Sequence, residues 1–205
     1  MCIRDRRWGL IEKDEAILAT KKVEFHGQVM AAIVCEDRKS GEKARNLLKI
    51  EYEDLTPVFS LREAAEKGEI FAEPQILTRN QLGPDVVGKR SIKGTVSLSG
   101  QEHFYMEPHS VLVVPQSEKD ELVVYHSTQE PCVVQAQISH HLGLKRHKII
   151  VKCKRAGGGF GGKERMHNAL IASFAARKTQ KPVRLIFSRQ EDMAVTGRKH
   201  ETIVE

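Results

Sequence analysis

Lys154-Arg155-Ala156-Gly157-Gly158-Gly159-Phe160-Gly161-Gly162-Lys163-Glu164 follows the apolar run Ile149-Ile150-Val151-Lys152-Cys153 and precedes a stretch where Met166, Leu170 and Phe174 recur at helical spacing. The run reads as a strand, residues from about Lys163 to Lys178 as a helix, and Val183 to Phe187 as a further strand. Five glycines in six positions at a strand-to-helix turn let a ligand approach the backbone, and the helix start adds free N–H donors and a positive dipole end. The pattern points to an anion or cofactor site. A tight turn with close helix packing is the structural alternative.

Two nucleotide patterns fit the loop as letters. Gly157, Gly159 and Gly162 satisfy G-x-G-x-x-G, but Phe187 is followed by Ser188-Arg189 where a ribose-binding acid should stand, which leaves only a 2′-phosphate cofactor of the NADP kind. Gly157, Gly162 and Lys163 fit G-x-x-x-x-G-K, with Glu164 where Ser or Thr should meet magnesium. A carboxylate ~4 Å from a phosphate charge costs about 4 kcal/mol at an effective dielectric near 20, which argues against a triphosphate site.

Upstream of the loop, Pro131 suits a first helical position, Val134, Ile138 and Leu142 share a face, and Gly143 ends the helix. Before it, Val111 to Val114 and Leu122 to Tyr125 flank a charged turn, and Ile92, Gly94, Val96 and Leu98 alternate from near Ser91, so a β-rich unit is expected here. Residues 72–90, with Pro74, Gly83, Pro84 and Gly88, read as an extended connector. Further back, Val23 to Cys35 reads as a strand with Val29 to Val34 its strongest part, a short helix runs from about Ser40 to Leu48, and Lys49 to Glu53 alternates like a strand. Ser60-Leu61-Arg62-Glu63 has the form of a capping box, with Gly68 as the stop. The whole reads as α+β.

Of the 205 residues 40% are hydrophobic and 29% charged, which excludes collagen-like and largely disordered chains. Apolar runs are too short to span a membrane, and the first residues lack the apolar core of an export signal. Residues 140–205 hold 15 basic against 5 acidic side chains, while residues 1–139 hold 18 against 22. The basic last third is open to two readings: a solvated or polypeptide-facing surface, or a pocket for an anion. Aromatics at 5% give a nucleic-acid role little support. Cys2, Cys35, Cys132 and Cys153 form no C-x-x-C pair, so reduced thiols of a cytoplasmic protein are expected and no side-chain metal site is assigned, His140 and His141 included. Residues 1–6 match no periodicity and are set aside as a possible artefact.

Gly100-Gln101-Glu102-His103-Phe104-Tyr105-Met106-Glu107, then Ser127-Thr128-Gln129, then the glycine loop through Glu164, resemble in order and spacing the molybdenum-binding portion of the molybdenum hydroxylases of xanthine dehydrogenase type; the likeness continues through Arg189-Gln190-Glu191-Asp192-Met193 and Thr196-Gly197. Met106, Pro108 and Ala156 depart from the family's usual residues without removing a functional side chain. The resemblance implies that residues 7–75 are the end of an α/β hammerhead domain and residues 76–205 the first part of a molybdopterin-binding domain. It further implies an oxidoreductase that hydroxylates purines with water as oxygen source.

By position, Gln129 corresponds to the glutamine near the molybdenum ligands. Phe160 and Gly161 correspond to residues whose backbone contacts those ligands, so that Gln129 and Phe160 belong to the metal environment. Gly158 and Gly159 correspond to residues lining the pterin. Glu164 matches a purine-contacting glutamate where aldehyde-oxidising relatives tend to have an apolar residue, so a purine hydroxylase is favoured over an aldehyde oxidase. On the residues alone, Gln129 is an amide before the Pro131 helix and Glu164 an ordinary first-turn acid. The [2Fe–2S] clusters and FAD of such enzymes lie on other domains or subunits, and the complete assembly is expected to be a homodimer. The family's general base, substrate arginine and purine-sandwiching aromatics are expected beyond Glu205, so the chain reads as a fragment that alone should not turn over. An NADP-binding module and a non-catalytic interaction domain are the readings from other classes.

Overall fold

The computed structural model describes residues 7–9, 13–70, 72–77 and 92–205. Its elements are β1 (Arg7–Trp8), β2 (Glu15–Ala16), α1 (Arg38–Leu47), α2 (Leu61–Lys67), β3 (Val96–Leu98), β4 (Ser110–Gln116), β5 (Glu121–His126), α3 (Pro131–Leu142), β6 (Ile149–Lys152), α4 (His167–Thr179), β7 (Val183–Ile186), α5 (Arg189–Val195) and β8 (Thr202–Val204). They form two compact units, one of residues 1–49 and 102–198, the other of residues 50–101 and 199–205.

The larger unit is built on a four-stranded sheet in the order β6-β5-β4-β7. β4 runs antiparallel to both neighbours, pairing Val113 with Val124 and Val111 with Leu185, whereas β5 and β6 are parallel with Val124 opposite Val151. Parallel neighbours need a crossover, and α3 supplies it between β5 and β6. Val111, Val113, Leu122, Val124 and Ile149 alternate into a core with Val134, Ile138, Leu142, Leu170, Ala172 and Ala176 from α3 and α4. Each fully buried aliphatic there contributes about 1.5–3 kcal/mol. Trp8 and Ile17 join the same core, and Trp8 Nε1 donates to His167 Nε2 at 2.9 Å. Gly143 closes α3 in the left-handed region at φ +67°.

Several expectations are corrected. No strand forms over Val23–Cys35, which makes a turn at His26–Gly27, or over Lys49–Glu53; only α1 of the expected strand-helix-strand unit is present. A strand exists only with a partner to complete its ladder, and none of the described residues supplies one. Helix α4 begins at His167 rather than Lys163, because Arg165 is extended and residues 162–164 make a separate 3₁₀ turn. Half of the capping box at α2 is realised: Ser60 Oγ accepts from Glu63 N at 3.1 Å, but the Glu63 carboxylate pairs with Lys67. In the smaller unit the alternation from Ser91 yields only β3, antiparallel to β8, with Ile92 exposed outside it. Residues 78–90 of the expected connector, together with Ser91 and Cys2, lie outside the described residues. No helix among the described residues is long and apolar enough to cross a membrane.

Two buried histidines make the larger unit sensitive to acid. His126 Nε2 faces Asn168 Oδ1 at 3.1 Å, and burial, then the nearby His109, pushes its pKa down to about 3. Burial, then Arg165, does the same to His167. Both rings are neutral in the fold but take up a proton near the ordinary imidazole pKa of 6.5 once unfolded. Neither costs stability above that pH, and each costs about 1.4 kcal/mol per pH unit as the pH falls from there towards the folded value. The urea midpoint is expected to be flat above neutrality and to fall steeply from pH 6 to 4.5, by roughly twice the single-histidine slope. A midpoint constant over that window would overturn the assignment.

Candidate functional site

The strand directions bring four chain segments to one end of the sheet. β5, β6 and β7 point the same way, so the residues after each emerge together: Ser127-Thr128-Gln129, the glycine loop, and Ser188-Arg189. Antiparallel β4 begins at that end, which adds the segment before it, residues 103–109. The crevice beyond the carboxyl ends of parallel strands is where α/β sheets accommodate ligands.

In the glycine loop, Gln129 Oε1 accepts from Gly161 N at 3.1 Å and from Lys163 N at 3.2 Å. Gln129 N and Thr128 Oγ1 both donate to the Lys163 carbonyl. The Gln129 side chain lies so close that a Cβ on Gly159 would sit 2.2 Å from Oε1, and one on Gly162 would sit 2.6 Å from the Tyr105 ring. These two positions therefore need glycine for space. Phe160, 77% exposed, is left-handed at φ +54°, and Phe104 at φ +46° is likewise left-handed and exposed. Such backbone costs of order 1 kcal/mol or more in a non-glycine residue and clusters at binding sites. The amides of Gly158, Gly159 and Phe160 donate to no protein acceptor among the described residues.

Beneath the loop lies a buried network. Asp192 Oδ1 meets His109 Nδ1 at 2.7 Å, with both side chains 1% exposed. It also accepts from the Tyr105 hydroxyl at 3.0 Å, and Oδ2 accepts from His109 N at 3.3 Å. Burial alone would raise the Asp192 pKa, but the His109 contacts and the Tyr105 hydroxyl outweigh it and hold the carboxyl below its usual range. Burial, with the Asp192 charge, raises that of Tyr105. Asp192 is placed by α5, whose first turn is closed by a reciprocal capping box between Ser188 and Glu191.

Lys163 corrects the phosphate-loop reading. It is fully buried, its Nζ donates to the Ala156 carbonyl, and the ammonium lies over the Tyr105 ring at 4.7 Å. Burial lowers its pKa, against the pull of Glu107 and Asp192. A lysine turned into the loop cannot reach a phosphate above it. Arg189 corrects the 2′-phosphate reading in the same way, because its guanidinium donates to the Met106 carbonyl and stacks over Phe104 at 5.2 Å.

Glu164 ends the 3₁₀ turn, half-buried, and its carboxylate makes no hydrogen bond or ion pair among the described residues. Since α4 starts at His167, it is not a first-turn acid of that helix. The next residue, Arg165, is drawn away by an ion pair with Glu15 and by the Trp8 and Phe25 rings. Of the residues named from the sequence, Gln129 lies against Gly159 and bonds to Gly161, while Glu164 follows Lys163 at the end of the loop. Sequence reasoning missed Lys163 as an internal group, and with it the Tyr105–His109–Asp192 network and the Glu15–Arg165 pair. Only the S-x-x-E cap ahead of Asp192 offered a local signal.

Residues 87–205 match the profile of the molybdopterin cofactor-binding domain, and residues 3–56 that of the aldehyde oxidase and xanthine dehydrogenase a/b hammerhead domain. The chain is 34% identical to a xanthine dehydrogenase of Drosophila subobscura over 98% of its own length and 15% of the relative's. It is 40% identical to aldehyde oxidase 1 of Oryctolagus cuniculus over 91% and 14%. The chain thus spans about one seventh of the length of these relatives. Among solved structures, quinoline 2-oxidoreductase from Pseudomonas putida 86 superposes with a TM-score of 0.75 at 27% identity, covering 87% of this chain and 24% of that one. Aldehyde oxidoreductase from Desulfovibrio gigas shares the fold at a TM-score of 0.77 and 20% identity, over 95% and 23%.

Proposed function

Since the chain belongs to the aldehyde oxidase and xanthine dehydrogenase family of molybdopterin cofactor-binding proteins, we propose that the complete protein is a cytoplasmic molybdenum hydroxylase that oxidises purines of the hypoxanthine and xanthine kind, with [2Fe–2S] and FAD groups on its other domains or subunits. The fold observed here is accordingly hammerhead plus the start of the cofactor domain, α+β as the sequence implies.

The residues present fit the cofactor. Three successive amides, of Gly158, Gly159 and Phe160, remain without protein acceptors among the described residues, and Gln129 and Tyr105 pack so closely against Gly159 and Gly162 that they support the loop directly. Gly158 and Gly159 would line the pterin, and the backbone of Phe160 and Gly161 would face the metal's oxygen ligands. When bound, the molybdenum–molybdopterin group supplies the two-electron oxidation by which an oxygen from water is placed on an electron-poor ring carbon. The loop amides act as donors that need no reorganisation. Gln129 spends its side-chain oxygen on Gly161 and Lys163, which turns its amide N–H groups outward as donors.

The single observation that carries the substrate is the Glu164 carboxylate, left without a protein partner beside the loop. It accepts from the N–H edge of a purine and steadies charge that builds on the ring. In the complete enzyme Glu164→Ala is expected to slow purine hydroxylation roughly 10- to 150-fold, the worth of a charge-assisted hydrogen bond of ~1.5–3 kcal/mol that strengthens in the transition state. Molybdenum content should stay near normal and small aldehydes should lose much less. Equal losses for purine and aldehyde, or loss of metal in step with activity, would reject the role. A wild-type enzyme that oxidises aldehydes but no purine would reject the substrate class.

A further inference from the structure

We propose that Lys163 is the internal clasp of the glycine loop, a positioning residue whose buried ammonium ties the end of the loop back to its beginning at the Ala156 carbonyl and so holds the cofactor cradle closed. The inference rests on the cofactor reading above but is argued from this chain alone.

Between Ala156 and Lys163 the backbone passes through Gly157, Gly158 and Gly161, all at positive φ, and through left-handed Phe160. Such a segment has little conformational preference of its own, since glycine visits both halves of φ space readily. Within the loop, one backbone bond from Gly162 N to the Gly159 carbonyl, 2.8 Å, spans its second half. The two ends are joined by a side chain instead. Lys163 is fastened from outside by its backbone, with N–H to Gln129 Oε1 and C=O to Gln129 N and Thr128 Oγ1. From that fixed point its side chain runs beneath the loop and donates to Ala156.

A fully desolvated ammonium is expensive unless its surroundings compensate, and here several groups do. The Tyr105 ring lies under it at 4.7 Å, and Glu107 and Asp192 contribute favourable charge while Arg189 opposes. Tyr105 is itself pinned by Asp192 and reaches the loop at Gly158 and Gly162. The clasp is therefore tied to the same network that fixes residues 103–109.

A merely structural lysine and a clasp differ in what Lys163→Met does locally at the glycine loop of the complete enzyme. Removing the ammonium leaves the Ala156 carbonyl without its donor and Glu107 and Asp192 without its charge, so a fall in global stability is expected of either role and does not separate them. Releasing the loop opens it locally, by roughly 10- to 150-fold in the open-to-closed ratio for one charge-assisted hydrogen bond. The readouts are molybdenum and pterin content per protein, the melting temperature, and the rate of tryptic nicking after Lys154 or Arg155 in enzyme stripped of cofactor. Expected are cofactor content reduced at least tenfold and nicking faster by a similar factor, both measured at a temperature where the variant is still folded by its own melting curve. Wild-type content and wild-type nicking would overturn the clasp. If the Met variant does not fold, Lys163→Gln, too short to reach Ala156, is judged by the same readouts. A wild-type enzyme devoid of molybdenum and pterin would count against the cofactor reading alone, because the nicking comparison would still decide the clasp.

Discussion

Asp192→Ala is expected to destabilise the protein by about 3–5 kcal/mol, since each buried donor left without an acceptor costs roughly 1–3 kcal/mol. The change strands three donors at once: the Tyr105 hydroxyl, His109 Nδ1 and the His109 amide, which lie 3.0, 2.7 and 3.3 Å from the carboxylate. Water cannot replace it easily where His109 and Asp192 are each 1% exposed. Since Tyr105 also lies under the glycine loop, cofactor loading should fall together with stability. Urea unfolding of wild type and mutant measures the first, and metal analysis the second. A loss under about 1 kcal/mol would mean that the network is already broken or hydrated in solution.

The second large effect is expected at Gly159. A methyl there would sit 2.2 Å from Gln129 Oε1 and 2.6 Å from its Cδ, so the glutamine must leave. Leaving forfeits its bonds to Gly161 N and Lys163 N. Two hydrogen bonds of ~0.5–1.5 kcal/mol each are lost from one short loop, enough to lower cofactor content of Gly159→Ala by roughly 5- to 150-fold. Because the collision is with a single side chain, the effect is non-additive: Gly159→Ala in a Gln129→Ala background should add little to Gln129→Ala alone. Additive losses would show that the methyl obstructs the cofactor itself rather than the glutamine.

The part of the fold legible in the sequence is the part whose pattern is completed locally. Val111 to Val114 and Leu122 to Tyr125 lie on β4 and β5, and Ile149 to Cys153 and Val183 to Phe187 overrun β6 and β7 by one residue each, because alternating or unbroken apolar runs matched a sheet whose partners and covering helices are among the described residues. Val29 to Val34 and Lys49 to Glu53 carry similar patterns and form no strand. A pattern names a face that wants pairing, but not whether the pairing strand is at hand. The start of α4 was misread for a different reason. The spacing of Met166, Leu170 and Phe174 is compatible with a helix from Lys163, but the extended backbone of Arg165, whose side chain meets Glu15 150 residues away, separates the 3₁₀ turn from α4. At the site, the glycines and Gln129 announce themselves by composition and order. The inward turn of Lys163 depends on Tyr105 and the Ala156 carbonyl, which no spacing rule brings together.

The antiparallel β4 in the midst of parallel neighbours also sets an order of assembly. Its pairing with β5 closes across a short turn at residues 117–120, whereas its pairing with β7 must wait for α3, β6 and α4 to be threaded between them. Pairings distant along the chain are slow, because chain entropy is lost before contacts repay it. Asp192, which anchors residues 103–109, stands beyond β7 and therefore arrives with this last strand. Until then the glycine loop has its Gln129 support but no Tyr105 beneath it. The cradle is thus expected to be assembled late, from segments that only the β4–β7 pairing brings together.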